Sequence, residues 1–165
     1  MPLVFVNQLL QGQGKNASES AGRFLVNSTI GVFGLVDVAD KIGLEEKEED
    51  FGQTLATWGV GDGFYIVLPL FGPSNLRDTA GMVLTYTTDP INAYAVSEGE
   101  AWVVPLRTAV NAVDQRSKII DEVNAVRNNS VDYYAAVRSS YYQNRKAAIT
   151  NTNDNILTPL PLISI

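Results

Sequence analysis

Arg138, Tyr142 and Arg145 stand at i, i+4 and i+7 in the segment SVDYYAAVRSSYYQNRKAAI, so a helix there carries all three on one face, with Tyr134 and Tyr141 on a neighbouring one. Guanidinium groups beside amphipathic rings can meet a phosphate, with the tyrosines at a boundary between apolar and wet surroundings. The same arginines can instead pair with Asp37, Asp50 or Asp78 and orient helices. Trp58 and Trp102 are read the same two ways, as core anchors or as an interface belt. A second concentration of unusual residues runs from Asp50 to Asp78, where Gly59, Gly61 and Gly63 precede the uncharged run FYIVLPLF. Such a run wants a nonaqueous neighbour, and Pro69 and Pro73 prevent it from being one long buried helix.

The remaining chemistry is narrow. The chain has no histidine and no cysteine, which removes the usual proton shuttle, the thiolate nucleophile, disulfides and the commonest zinc ligands. There is no G-x-S-x-G motif, so no catalytic residue is assigned and no enzyme activity is expected. An enzyme acting on lipids would need a perturbed carboxylate or a Lys-Ser pair, and the sequence shows no such pairing. GVGDG at 59–63 lacks the strand and Gly-Lys-Ser/Thr that a phosphate-cradling loop needs, and the acidic run Glu45–Asp50 lacks the alternating ligands of a calcium loop. Neither a cofactor nor a metal is expected. A net charge of −6 with twelve scattered Lys and Arg argues against nucleic acid as a partner.

The elements that must position these groups are short helices. At 165 residues, with 45% hydrophobic and 18% charged residues, the chain reads as one mainly α domain over 1–150 and a tail over 151–165. Pro2 suits the first turn of a helix over 2–10 closed by Gly12 and Gly14; Ser18 or Ser20 caps a second; LVDVADKI forms a third with Leu35, Val38 and Ile42 on one side. The acidic run is a solvated loop ahead of a helix over 51–58. The segment 64–71 has strand composition but no evident partner, so irregular or extended chain is expected there. Ser74 caps a helix to about Tyr86, and Asp89-Pro90 opens another through Val96. A long pattern from Glu100 to Asn128 carries Leu106, Val110, Val113, Ile120 and Val123 along one stripe, and with 130–149 it makes a helical hairpin. No run of about 20 apolar residues occurs, and no secretory leader is expected, since Met1 leads directly into a helical pattern.

Four segments together resemble one family: VNQLLQG at 6–12, GRFLVNSTIGVFGLVDVADKIGL at 22–44, DFGQTLATWGVGDGFYIVLPLFGPSNLRD at 50–78 and YYAAVRSSYYQNR at 133–145. They are similar to the MlaA (VacJ) family of phospholipid-transport lipoproteins of the Gram-negative outer membrane. The resemblance implies a ring-like or curved multi-helix domain with an amphipathic channel or groove, on the periplasmic side of the outer membrane beside trimeric porins. It further implies that mislocalised phospholipid is taken from the outer leaflet and passed to a soluble periplasmic carrier, MlaC, without covalent chemistry. The family's lipidated cysteine, first helices and acidic tail have no counterpart in this sequence.

On that basis the pattern proposes an apolar wall of Phe64, Tyr65, Ile66, Val67, Leu68, Leu70 and Phe71, with Gly59, Gly61 and Gly63 as hinges. Asp62, Arg77, Asp78, Arg138 and Arg145 are the candidates for a polar rim or head-group contact. Exposing acyl chains to water costs about 0.8 kcal/mol per methylene, so a passage with one apolar and one polar wall lowers both transfer penalties. The alternative is a soluble helical interaction module in which 63–73 simply crosses the interior.

Overall fold

A computed structural model describes residues 2–31, 36–118 and 120–152. In chain order the elements are α1 (Pro2–Leu10), α2 (Gly14–Thr29), α3 (Val38–Lys41), α4 (Phe51–Thr57), β1 (Tyr65–Leu68), β2 (Gly72–Asn75), α5 (Leu76–Thr88), α6 (Pro90–Ser97), α7 (Val103–Lys118), α8 (Ile120–Asn129) and α9 (Tyr133–Thr150). The chain is mainly α, as expected. The proposed tail falls almost wholly outside the described residues, and so does Leu35 of the third predicted helix.

Side chains that accept from exposed helix N–H groups set most of the starts. Asp50 accepts from the Gln53 amide at the head of α4, Asp132 from Ala135 at the head of α9, and Asp89 from both Ile91 and Asn92, with Pro90 in the first turn of α6. At α5 the cap is Asn75 rather than the expected Ser74: its side chain accepts from the Asp78 amide at 2.7 Å, and its own amide donates to the Asp78 carboxylate at 3.1 Å. That reciprocal pairing satisfies two polar groups, which a lone serine hydroxyl cannot do. The second helix starts at Gly14, ahead of both predicted serine caps; Ser18 lies inside it and turns its hydroxyl back to the Lys15 carbonyl.

The expectation of unpaired chain at 64–71 is corrected. β1 pairs antiparallel with β2, Tyr65 opposite Asn75 and Leu68 opposite Gly72. The partner strand reads GPSN, a sequence without strand propensity, and the turn enforces the pairing instead. Leu70 (φ 71°) and Gly72 (φ 82°) both adopt left-handed backbone there, a conformation that a leucine takes only when its surroundings impose it.

The main contacts between elements run from α4 to α5, α6, α7, α8 and α9 in turn, and α9 returns to α4 and β2. The helices from α4 onward therefore close a circuit, with α1–α3 attached through α1 on α4. The tightest junction is between α4 and α5. A methyl group added to Gly81 would lie 2.7 Å from the Gly52 Cα and 3.0 Å from the Phe51 carbonyl carbon, so α5 needs glycine at the crossing, whereas a methyl on Gly52 would run into the Arg145 guanidinium and the Asp78 carboxylate.

Burial is inverted relative to a water-soluble domain. Buried positions include Asn7, Gln8, Arg23, Gln53, Thr54, Asn75, Arg77, Asn144 and Arg145, whereas buried apolar residues are mostly small. Exposed residues include Phe64, Leu70, Ile30, Tyr94, Val113, Trp102 and Trp58. The stripe predicted along the long helix is mostly on the outside: Leu106, Val110, Val113 and Ile120 are exposed, and only Val123 is buried, against Val137 of α9. The acidic run is also only partly solvated. Glu45, Glu46 and Glu48 face outward, Glu49 is buried, and Lys47 reaches Glu19 of α2 at 3.1 Å.

Candidate functional site

The hairpin, the N-termini of α4 and α5, and the middle of α9 meet in one place. From α9, Arg145 directs two guanidinium nitrogens at the two carboxylate oxygens of Asp50, each at 2.7 Å, and one of them also reaches Asp78 at 3.0 Å. Tyr141, one turn earlier, donates its hydroxyl to Asp78 at 2.5 Å. Arg77 donates to Asp78 at 2.9 Å and to Asp62 at 2.5 Å, which ties the glycine-rich loop to α5. Three helices and a loop are thus held by one network of charge-assisted bonds.

Burial sets the electrostatics of this network. Taking the Asp50 carboxyl out of water would raise its pKa, but the Arg145 guanidinium outweighs burial and holds it below the usual carboxylate range. Burial likewise opposes the Arg145 charge, and the two aspartates overcome it and keep the guanidinium protonated. The Tyr141 hydroxyl is pushed far up, first by burial and then by its bond to Asp78.

Beside this network lies an aromatic cluster. The Tyr65 ring of β1 packs against Tyr134, Tyr141 and Tyr142 of α9, with centroid separations of 5.7, 5.9 and 6.0 Å. Arg138 lies over both the Tyr65 ring at 5.5 Å and the Tyr142 ring at 5.9 Å. Next to it opens a groove of about 530 Å³ lined by Tyr134, Ala135, Arg138, Ser139, Tyr142, Gln143 and Lys146, all on one face of α9.

The residues singled out in the sequence divide into three groups. Phe64, at 81% exposure, Val67 and Leu70 face outward; Ile66, Leu68 and Phe71 are half-buried, and Tyr65 turns into the aromatic cluster. Arg77, Asp78 and Arg145 hold the interior network, with Asp62 at its edge, while Arg138 stands free of it on the groove side. Of the glycines, 59 and 61 face open space. Gly63, at φ 69°, packs against Leu76 and lies between two backbone bonds, Leu76 N–H to Phe64 and Arg77 N–H to Asp62.

A family model described as MlaA lipoprotein matches residues 1–148 of this chain, a span that holds the hairpin, the charge network and almost all of α9. The chain belongs to the MlaA lipoprotein family. It is 33% identical over 147 residues to the intermembrane phospholipid transport system lipoprotein MlaA of Haemophilus influenzae, covering 87% of this chain and 56% of that protein. The corresponding protein of Escherichia coli is 32% identical over 146 residues, with 86% and 55% covered. An uncharacterized protein of Rickettsia prowazekii is 37% identical over 161 residues, covering 97% and 62%. A solved structure described as "Structural basis for maintenance of bacterial outer membrane lipid asymmetry" superposes with a TM-score of 0.69 at 32% identity, covering 90% of this chain and 73% of that one. The chain therefore spans about three fifths of the length of the curated relatives it matches.

Within this MlaA-type fold, two features of the site carry no signal in the sequence pattern. Gly81 lets α5 cross α4 and Gly52 leaves room for the Arg145 guanidinium, yet a glycine inside a helix usually reads only as a weak point. Asp50 reads as the end of an acidic loop, and its role as the carboxylate that receives Arg145 spans 95 residues of chain. The one available sign was the choice of Asp37, Asp50 or Asp78 as partners for the arginines, and the structure selects Asp50 and Asp78 for Arg145.

Proposed function

We propose that this chain transports phospholipid, taking mislocalised lipid from the outer leaflet of the outer membrane and releasing it toward the periplasm. The observation that carries the reading is the inverted burial: leucine, valine, phenylalanine and tryptophan side chains face outward around a body whose interior is rich in polar and charged groups. In water such a surface is an aggregation liability, whereas against acyl chains it costs nothing. No helix among the described residues is long and apolar enough to cross a membrane, so the body would sit within one leaflet instead of spanning the bilayer.

In this mechanism the lipid's two halves meet different walls. Acyl chains pass along Phe64, Val67 and Leu70 of the hairpin, and the charged head group follows the polar side beyond Tyr65. The Arg145 network acts as the rigid frame that keeps the hairpin and α9 at a fixed spacing. A trimeric porin alongside and an MlaC-type carrier as acceptor complete the proposal, which for these two partners rests on family resemblance.

Native mass spectrometry of protein released gently from membranes tests the reading. It predicts copurified glycerophospholipid and an adduct with porin. A protein that stays monodisperse without detergent and carries no lipid would instead be a soluble interaction module.

A further inference from the structure

The groove on α9 bears an unusual set of groups for a chain whose net charge is −6. Arg23, Arg77, Arg107 and Arg145 each face a carboxylate. Among the described residues Arg138 has only the Tyr65 and Tyr142 rings, and no aspartate or glutamate lines the groove. Lys146 lies eight residues further along the same face, about 12 Å at the helical rise. Between them the Gln143 amide donates to the Ser139 hydroxyl oxygen at 2.9 Å, which leaves the serine hydrogen and the second amide hydrogen for an outside acceptor. Ser139 and Gln143, which stand between the two cations, thus each keep a hydrogen to donate.

We propose that this groove binds the phosphodiester of a glycerophospholipid, with Arg138 as the principal contact. The two tyrosine rings restrain the guanidinium plane, so less freedom is lost when its N–H edge meets phosphate oxygens. Ser139 and Gln143 add donors to the remaining oxygens, and Lys146 attracts the anion from the outer end of the groove. Tyr65 and Val67 lie on the same side of β1, so a lipid held by its phosphate at Arg138 has an apolar track leading from Tyr65 past Val67 toward Leu70. Arg145, the other arginine on this part of α9, is fully engaged by Asp50 and Asp78 and serves the scaffold. The assignment rests on the reading that the chain handles phospholipid, and names the group by which it does so.

The test is lipid capture by the full chain from nanodiscs of defined composition, read by native mass spectrometry, with phosphatidylethanolamine, phosphatidylglycerol or the phosphate-free diacylglycerol as the probe. Wild type is expected to retain both phospholipids and to discriminate against diacylglycerol by at least about tenfold, the scale of a charge-assisted hydrogen bond. R138Q combined with K146Q should abolish that discrimination and leave diacylglycerol capture unchanged. Both side chains are exposed, so the helical circular dichroism of the variant should match wild type. Equal capture of phospholipid and diacylglycerol by wild type, or undiminished discrimination in the double variant, overturns the phosphodiester site while leaving lipid transport standing. Loss of phospholipid capture on adding inorganic phosphate at millimolar concentration would reveal a general anion site and also overturn it. A wild-type protein that captures no lipid of any class overturns both readings together.

Discussion

Replacing Arg145 by methionine keeps most of the side-chain volume and removes the charge, which leaves the Asp50 and Asp78 carboxylates facing one another's surroundings without a cation between them. Arg145 is 7% exposed and makes two bonds of 2.7 Å to Asp50 and one of 3.0 Å to Asp78. Removing one partner from a buried ion pair costs about 3–5 kcal/mol, a large share of the roughly 5–15 kcal/mol that holds a typical domain. Urea titration in mild detergent, followed by helical circular dichroism, should show a loss of that size. The pH dependence gives a sharper check. In wild type the Asp50 pKa is depressed, so its contribution is complete above about pH 4 and is lost as pH falls through the lower folded value. Without Arg145, burial is opposed only by the bonds from Gln53, so the depression of the Asp50 pKa shrinks and R145M should lose less stability than wild type as pH falls below about 4. The second substitution D50N keeps a good helix cap, so the double variant should recover stability relative to R145M alone. A loss below about 1 kcal/mol with the wild-type pH slope would refute the claim that this network is the frame of the site.

Two further changes separate the crossing from the loop and probe the buried carboxylate. Gly81→Val should prevent α4 from seating on α5 and unfold the chain or drop its melting temperature by many degrees, whereas Gly61→Ala, whose added methyl meets open space, should leave the melting temperature within a degree or so. Burial raises the Glu49 pKa, so its charged form penalises the fold above that raised value and the penalty fades as pH falls toward about 4.3. Glu49→Gln should therefore stabilise the protein at pH 8 and flatten the slope between neutral and acidic pH, as measured by urea midpoints.

What could be read from the residues follows how local the cause is. Asp89 with Pro90, and the acidic run ending at Asp50, placed helix starts because a cap or a helix-end charge acts within about one turn, whereas the cap of α9 is Asp132 rather than the Asn-Ser stretch before it. The β1–β2 hairpin escaped notice because its second strand, GPSN, is held by a turn with left-handed Leu70 and Gly72, and a left-handed leucine has no composition signal. The interior network was visible only as a choice of carboxylates for the arginines. Which aspartate receives Arg145 depends on how α9 returns to α4, a contact across most of the chain. The stripe at Leu106, Val110 and Val113 was correctly periodic, but periodicity reports an apolar face without saying whether protein or lipid covers it.

Trp58 and Trp102 are exposed at 59% and 61% and form a built-in probe of what covers the surface. In vesicles of phospholipid brominated along the acyl chains, their fluorescence should be strongly quenched, and a soluble quencher such as acrylamide should have little effect. Strong acrylamide quenching with none from the brominated chains would mean that these side chains face water, and the account of a lipid-facing exterior over a polar frame would be contradicted.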